Sequence, residues 1–282
     1  MRQGTDTYGA LARRAHNLLI MCRAARRNQA RGVPKYRQWP WKRAPGTGYN
    51  HLISEVAQTM PSNFRRVFTS SVGTKLLIGL TGLALFTYLI LHLAGNAIIF
   101  FGAEPFNRYS HALISNPLII PIEIGLLLIF LLHIYKTVTM WIGNRSARPI
   151  PYQMKRGAGH TSRKSLASST MIVTGLVVFF FVLVHVKQFK YGAWYATAGD
   201  ATVRDLYRTE VEVFQRPVWV IFYVVCTLLV GLHLRHGISS GFQSIGLDHP
   251  VYTRRIVAWG IAGAVLIGGG LAVIPIWVYL TH

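Results

Sequence analysis

Hydrophobic positions along the chain gather into five long apolar runs, at roughly 75–101, 117–142, 166–190, 216–241 and 255–280, separated by short polar stretches. Each is long enough to cross a bilayer as a helix, which takes about 20 apolar residues. Local signals agree with these limits. The first run ends in "FFG", the second follows "SNP", and the fourth starts at Pro217, a residue favoured in a first helical turn. The fifth contains "GIAGA" and "GGG", small residues that let helices approach closely, and Pro275, which is expected to kink it near its end. No stretch reads as a strand. The pattern predicts an all-α fold, an integral membrane bundle of five transmembrane helices, occupying 60–282.

Polar positions set the orientation. The connection 143–165 carries Arg145, Arg148, Lys155, Arg156, Arg163 and Lys164 with no acidic residue, and Arg65, Arg66 and Lys75 flank the start of the first run. Arg254 and Arg255 stand at the start of the fifth. In 102–116 and 191–215 the acids match or outnumber Lys and Arg. By the positive-inside rule the N-terminus is expected in the cytoplasm and the C-terminus outside.

Residues 1–59 stand apart. They are rich in Arg, poor in acids and lack a long apolar run, so they are expected to form a disordered basic extension. A transit peptide has this bias, as does an arm that touches anionic lipid. A third reading places the working start at Met60, where "MPSNFRRVFTSS" leads into the first helix.

Composition adds one restriction. The chain is 51% hydrophobic and 14% charged, with a net charge of +21. Such a basic balance suits nucleic acid or a membrane surface. Because the basic residues lie outside the apolar runs, the membrane explains them and no nucleic-acid partner is expected. Cys22 and Cys226 are the two cysteines, with no CxxC. Covalent haem attachment, a zinc site and cysteine-ligated clusters therefore lack support.

The chemistry lies in the histidines. Five of the eleven, His92, His133, His185, His233 and His236, fall inside the apolar runs. Ionisable groups at membrane depth are costly and default to a functional reading. Helical rise puts His92 ~25 Å and His185 ~28 Å from the cytoplasmic edge, and His133 ~15 Å and His233 ~12 Å from it. They sort into an outer pair on the first and third helices and an inner pair on the second and fourth. Two haems, each held by two axial imidazoles, need that arrangement. Zinc fits badly, since its closed sites want four ligands at one depth. Gly95 and Gly237 share a face with His92 and His233 and are expected to make room for the macrocycles.

Several stretches carry a resemblance. "SSVGTK" before the first helix, "HLAGN" at His92 and "FNRYSH" after that helix resemble the cytochrome b subunit of succinate dehydrogenases and fumarate reductases. So do "PLIIPIEIGLLLIFLLHIYK", "LVHVKQFKYG" and "HLRHGISSGFQSIG" in the second, third and fourth helices. The likeness is to the bacterial five-helix, two-haem type and covers about 64–280. It implies a multi-pass subunit of the bacterial cytoplasmic membrane, bound to a flavoprotein and an iron–sulfur subunit. That subunit would pass electrons from succinate oxidation through two b haems to a quinone, with menaquinone expected. The chain would be the quinone-reactive part of the enzyme, with succinate chemistry elsewhere. The resemblance also places the fourth ligand at His233, four residues before Gly237, with His236 near the haem edge or the inner surface.

Other polar residues have two readings each. Glu123, ten residues before His133, is either hydrated at the interface or a proton-exchanging group beside the quinone. Lys136, Lys187 and Lys190 either snorkel to headgroups or, Lys136 and Lys190 foremost, meet haem propionates. His111 is expected in a solvated loop, Cys226 in core packing, and Tyr191, Trp194 and Tyr195 in an interfacial belt. Two alternatives remain open: a dihaem anchor for another quinone-linked dehydrogenase, such as a hydrogenase or formate dehydrogenase, and a cofactor-free transporter with a histidine proton relay.

Overall fold

The computed structural model of the chain describes residues 68–147 and 166–282. The expectations for the extension 1–59 and for Arg148, Lys155, Arg156, Arg163 and Lys164 lie outside the described residues.

Within them the chain is helical, with α1 Ser71–Asn96, α2 Ala103–Ile114, α3 Ile119–Ser146 and α4 Leu166–Ser169. There follow α5 Met171–His185, α6 Leu206–Phe214, α7 Pro217–Ser244 and α8 Pro250–Thr281. Five spans are long and apolar enough to cross a membrane: Ser71–Phe101, Ile119–Ser146, Met171–Lys190, Pro217–Ser244 and Pro250–Thr281. These are the five predicted runs, with ends moved by a few residues to where caps stand. The Ser70 hydroxyl accepts from the Gly73 amide (2.9 Å), and the His249 ring accepts from the Val251 amide (3.2 Å) just ahead of α8. Prolines at the starts of α7 and α8 supply the fixed φ of a first turn. Helix α8 continues through Pro275 to Thr281.

Helix α7 is the centre of the packing, in contact with α8, α1 and α5, while α1 also meets α3. Helices α7 and α8 approach each other closely. A Cβ added at Gly268 would stand 2.9 Å from the Gly231 Cα, and one at Gly231 would stand 3.0 Å from the Ala264 carbonyl oxygen. Van der Waals contact between such backbones replaces the hydrophobic drive that lipid removes. Helices α3 and α5 meet more sparingly, through Phe130 stacked on Phe179 with centroids 6.5 Å apart. The order round the bundle is therefore α1, α3, α5, α7, so that α1 faces α5 and α3 faces α7 across it. Leu127, Leu128, Leu131, Val173, Leu176 and Phe180 point outward and exposed, as lipid-facing side chains do.

One end of the bundle is closed by the two short helices α2 and α6. The sequence pattern treats both stretches as loops, whereas the structure makes them amphipathic helices with buried inner faces. Asn107 joins them: its amide donates to Asp205 (2.8 Å) and its carbonyl oxygen accepts from the Tyr207 amide (2.9 Å). Asp205 also caps α6 by accepting from the Arg208 amide (3.0 Å). Beneath them Ile99, Phe106, Phe214, Val220, Tyr223, Ile274 and Val278 form one apolar core. Residues 186–190 loosen into a π turn directly after His185. Gly192 closes that turn, since a Cβ there would fall 2.0 Å from the Gln188 carbonyl oxygen. The β structure among the described residues is an isolated bridge between Ala196 and Arg204.

Candidate cofactor site

Two helices that face each other across the bundle bring His92 and His185 together. Their ring centroids are 5.7 Å apart and their planes near perpendicular, at 85°. Phe181, Phe189 and Tyr223 surround the His185 ring at centroid distances of 5.8, 5.3 and 6.0 Å. The Tyr223 hydroxyl donates to the Gln188 side-chain oxygen (2.9 Å). Among the described residues the buried His185 Nδ1 has no hydrogen-bond partner. His92 is little better satisfied, with the Tyr88 hydroxyl and the Asn96 amide nitrogen both 3.4 Å from its Nδ1. The Asn96 amide is engaged with the His92 carbonyl oxygen at 2.8 Å.

His133 and His233 lie at a second level. His133 Nδ1 is 3.0 Å from the Thr81 hydroxyl on α1, and His233 Nδ1 is 3.1 Å from the Thr174 hydroxyl on α5. Each ring also rests against a glycine next to its threonine. A Cβ at Gly82 would come 3.2 Å from His133 Cε1, and one at Gly175 would come 3.3 Å from His233 Cε1. Thr81 precedes His92 by eleven residues, and Thr174 precedes His185 by eleven. Since His92 and His185 are level, both threonines, and the imidazoles they touch, sit about 16 Å down the bundle from them. The spacing places four imidazoles at two depths.

The repeated pattern is Thr-Gly, then Phe86 or Phe179, then the histidine. Reasoning from apolar runs and histidines alone passes over the threonines and these two glycines. The identical spacing in "TGLALFTYLILH" and "TGLVVFFFVLVH" is the signal that finds them. Gly95 serves otherwise than expected: a Cβ there would lie 2.5 Å from the Tyr109 hydroxyl, so its missing side chain admits Tyr109 of α2. Gly237 faces open space, with nothing within 4 Å of an added Cβ. His236, three residues on from His233, lines a groove of about 640 Å³ between α7 and α8 with Arg235, Ser239 and Arg254.

The remaining polar residues find protein partners. Glu123 and Lys190 form an ion pair across α3 and the π turn, each side chain 42% exposed. Lys136 is the buried residue of α3 and donates to the Phe68 carbonyl oxygen, with its nitrogen 5.0 Å from the Phe68 ring centroid. A lysine has three donors, so each of these keeps capacity for another acceptor. His111 sits on α2, Cys226 is buried in α7, and Tyr191 and Trp194 are exposed beyond the π turn. One carboxyl was not singled out from the sequence. Glu210 on α6 is 5% exposed, and burial pushes it up to about 8.

The donor chemistry fits haem. Among the described residues no three or more His, Cys, Asp or Glu side chains group in a way that could hold a metal ion. His92 and His185 make one site of two imidazoles, and His133 and His233 stand level with each other below it. An axially ligated haem asks the protein for that number, because the porphyrin supplies the other ligands.

Five apolar helices with intramembrane histidines matched in depth define a multi-pass helical membrane protein with candidate cofactor levels in its bundle. Over residues 144–272 the chain matches the succinate dehydrogenase/fumarate reductase transmembrane subunit family, a stretch that includes His185 and His233. No curated protein and no solved structure matches it.

Proposed function

We propose that the chain is the cytochrome b membrane anchor of a bacterial succinate:quinone oxidoreductase, with the N-terminal side cytoplasmic. The observation that carries this reading is the family match over 144–272, which contains one member of each histidine pair. The level arrangement of His92 with His185 and of His133 with His233 supports two haem b groups, an outer and an inner one. Haem at these levels would supply two one-electron carriers in series across the bilayer. His92, His185, His133 and His233 would be the iron ligands. Lys136 beside the inner level and Lys190 beside the outer one would meet propionates through their remaining donors.

The partners would be a flavoprotein and an iron–sulfur subunit docked at the cytoplasmic end, where Arg235, His236 and Arg254 line the groove. The electron acceptor would be a quinone, with menaquinone expected. Quinone reduction takes up two protons, and Glu123 at the α2/α6 end, ion-paired with Lys190, would pass them. The test is purification of the tagged chain from its native membrane, followed by addition of succinate under anaerobic conditions. Co-purification of a flavoprotein with succinate-driven reduction of b haem supports the reading. A preparation whose haem is reduced by formate or hydrogen and not by succinate would assign the chain to another dehydrogenase.

A further inference from the structure

The two threonines that meet the second histidine level do more than fill space. The Thr81 hydroxyl lies 2.6 Å from the Leu77 carbonyl oxygen, to which it donates. Its single proton is thus engaged, and toward His133 Nδ1 it can act only as acceptor. With its proton on Nδ1, His133 finds the Thr81 oxygen and the Ile78 carbonyl oxygen as acceptors, and Nε2 is left as a bare lone pair. The same logic holds on the facing side. The single proton of the Thr174 hydroxyl points between the Thr170 carbonyl oxygen (3.1 Å) and the Met171 carbonyl oxygen (3.2 Å), which leaves an oxygen lone pair to accept from a protonated Nδ1 of His233 (3.1 Å). Gly82 and Gly175 let the two rings come this close to the helices that orient them. At the other level no comparable acceptor exists among the described residues: His185 Nδ1 is unpartnered and His92 Nδ1 has its neighbours at 3.4 Å.

We propose that Thr81 and Thr174 are a matched pair of positioning residues for the inner haem, fixing the tautomer of His133 and His233 and increasing their electron donation. The proposal rests on the reading that these two histidines are axial ligands. An acceptor on the far nitrogen of a ligating imidazole makes it more basic and fixes its orientation. A more basic ligand favours the oxidised iron, so each hydrogen bond lowers the midpoint potential of the inner haem and leaves the outer one untouched.

The experiment is a redox titration of the purified complex, followed optically, with Thr81→Val, Thr174→Val and the corresponding Ser variants. The inner haem is identified as the one lost in His233→Ala. Each Val variant is expected to raise the inner midpoint by about tenfold in the oxidised/reduced equilibrium, ~59 mV for one electron. The outer midpoint stays in place, and the Ser variants, which keep an acceptor, stay at the wild-type value. Unchanged midpoints in both Val variants, or a shift confined to the outer haem, would overturn the proposal. If a Val variant loses the inner haem, its Ser counterpart decides. Haem kept at the wild-type midpoint supports the hydrogen bond, and loss in Ser as well overturns it. A wild-type complex without haem would instead refute the underlying ligand reading.

Discussion

Glu210 shows how one side chain can couple the fold to pH. Its carboxyl is buried on the inner face of α6, and burial raises it from 4.5 to about 8. Between those values the folded protein holds a proton that the unfolded chain has released. Stability is therefore full at low pH and is lost as pH rises through about 8. Glu210→Gln mimics the protonated form and should stabilise the chain by a few kcal/mol at pH 8.5, with little effect at pH 4.5. Thermal unfolding of the detergent-solubilised protein across this range checks it, and a constant gap between variant and wild type would count against a buried neutral acid. Glu123 has Lys190 as its ion-pair partner. Glu123→Gln should lower quinone-linked turnover about 100-fold with both haems retained. Turnover at the wild-type rate would make the ion pair a purely structural contact.

At the scale of elements, the glycine seam between α7 and α8 is a tightly constrained contact. A side chain at Gly268 has no flexible neighbour to displace, since the Gly231 Cα and the Thr227 carbonyl oxygen stand 2.9 and 3.1 Å from its Cβ position. Gly268→Leu should destabilise by about 1–3 kcal/mol or more, read as a lower unfolding temperature. A neutral result would show that the helices can part there freely. The five spans were legible in the sequence because each is one continuous apolar run. The short helices α2 and α6 were not, because their inner faces are buried only when Asn107 meets Asp205 and the Tyr207 amide, about a hundred residues away along the chain. The approach of His92 to His185 was legible through helical rise, since depth along a straight helix needs no knowledge of neighbours. The partners of Glu123, Lys136 and His133 were not, because they are set by how helices rotate against each other. The role of Gly95 was misread for the same reason, its face being turned to Tyr109.

For the whole molecule, the bundle order α1, α3, α5, α7 sets each histidine pair on opposite sides of one interior, and α8, without a histidine inside its span, packs outside against α7. The two levels should then be separable. Replacing His185 with Ala is expected to remove the outer haem and keep most of the inner one, read from the reduced-minus-oxidised spectrum. Loss of the inner haem alone would reverse the assignment of levels. The measurement that bears most directly on the whole account is the haem content of the purified wild-type chain by the pyridine haemochrome assay. The account expects two b haems per polypeptide, and a value of one or none would contradict it.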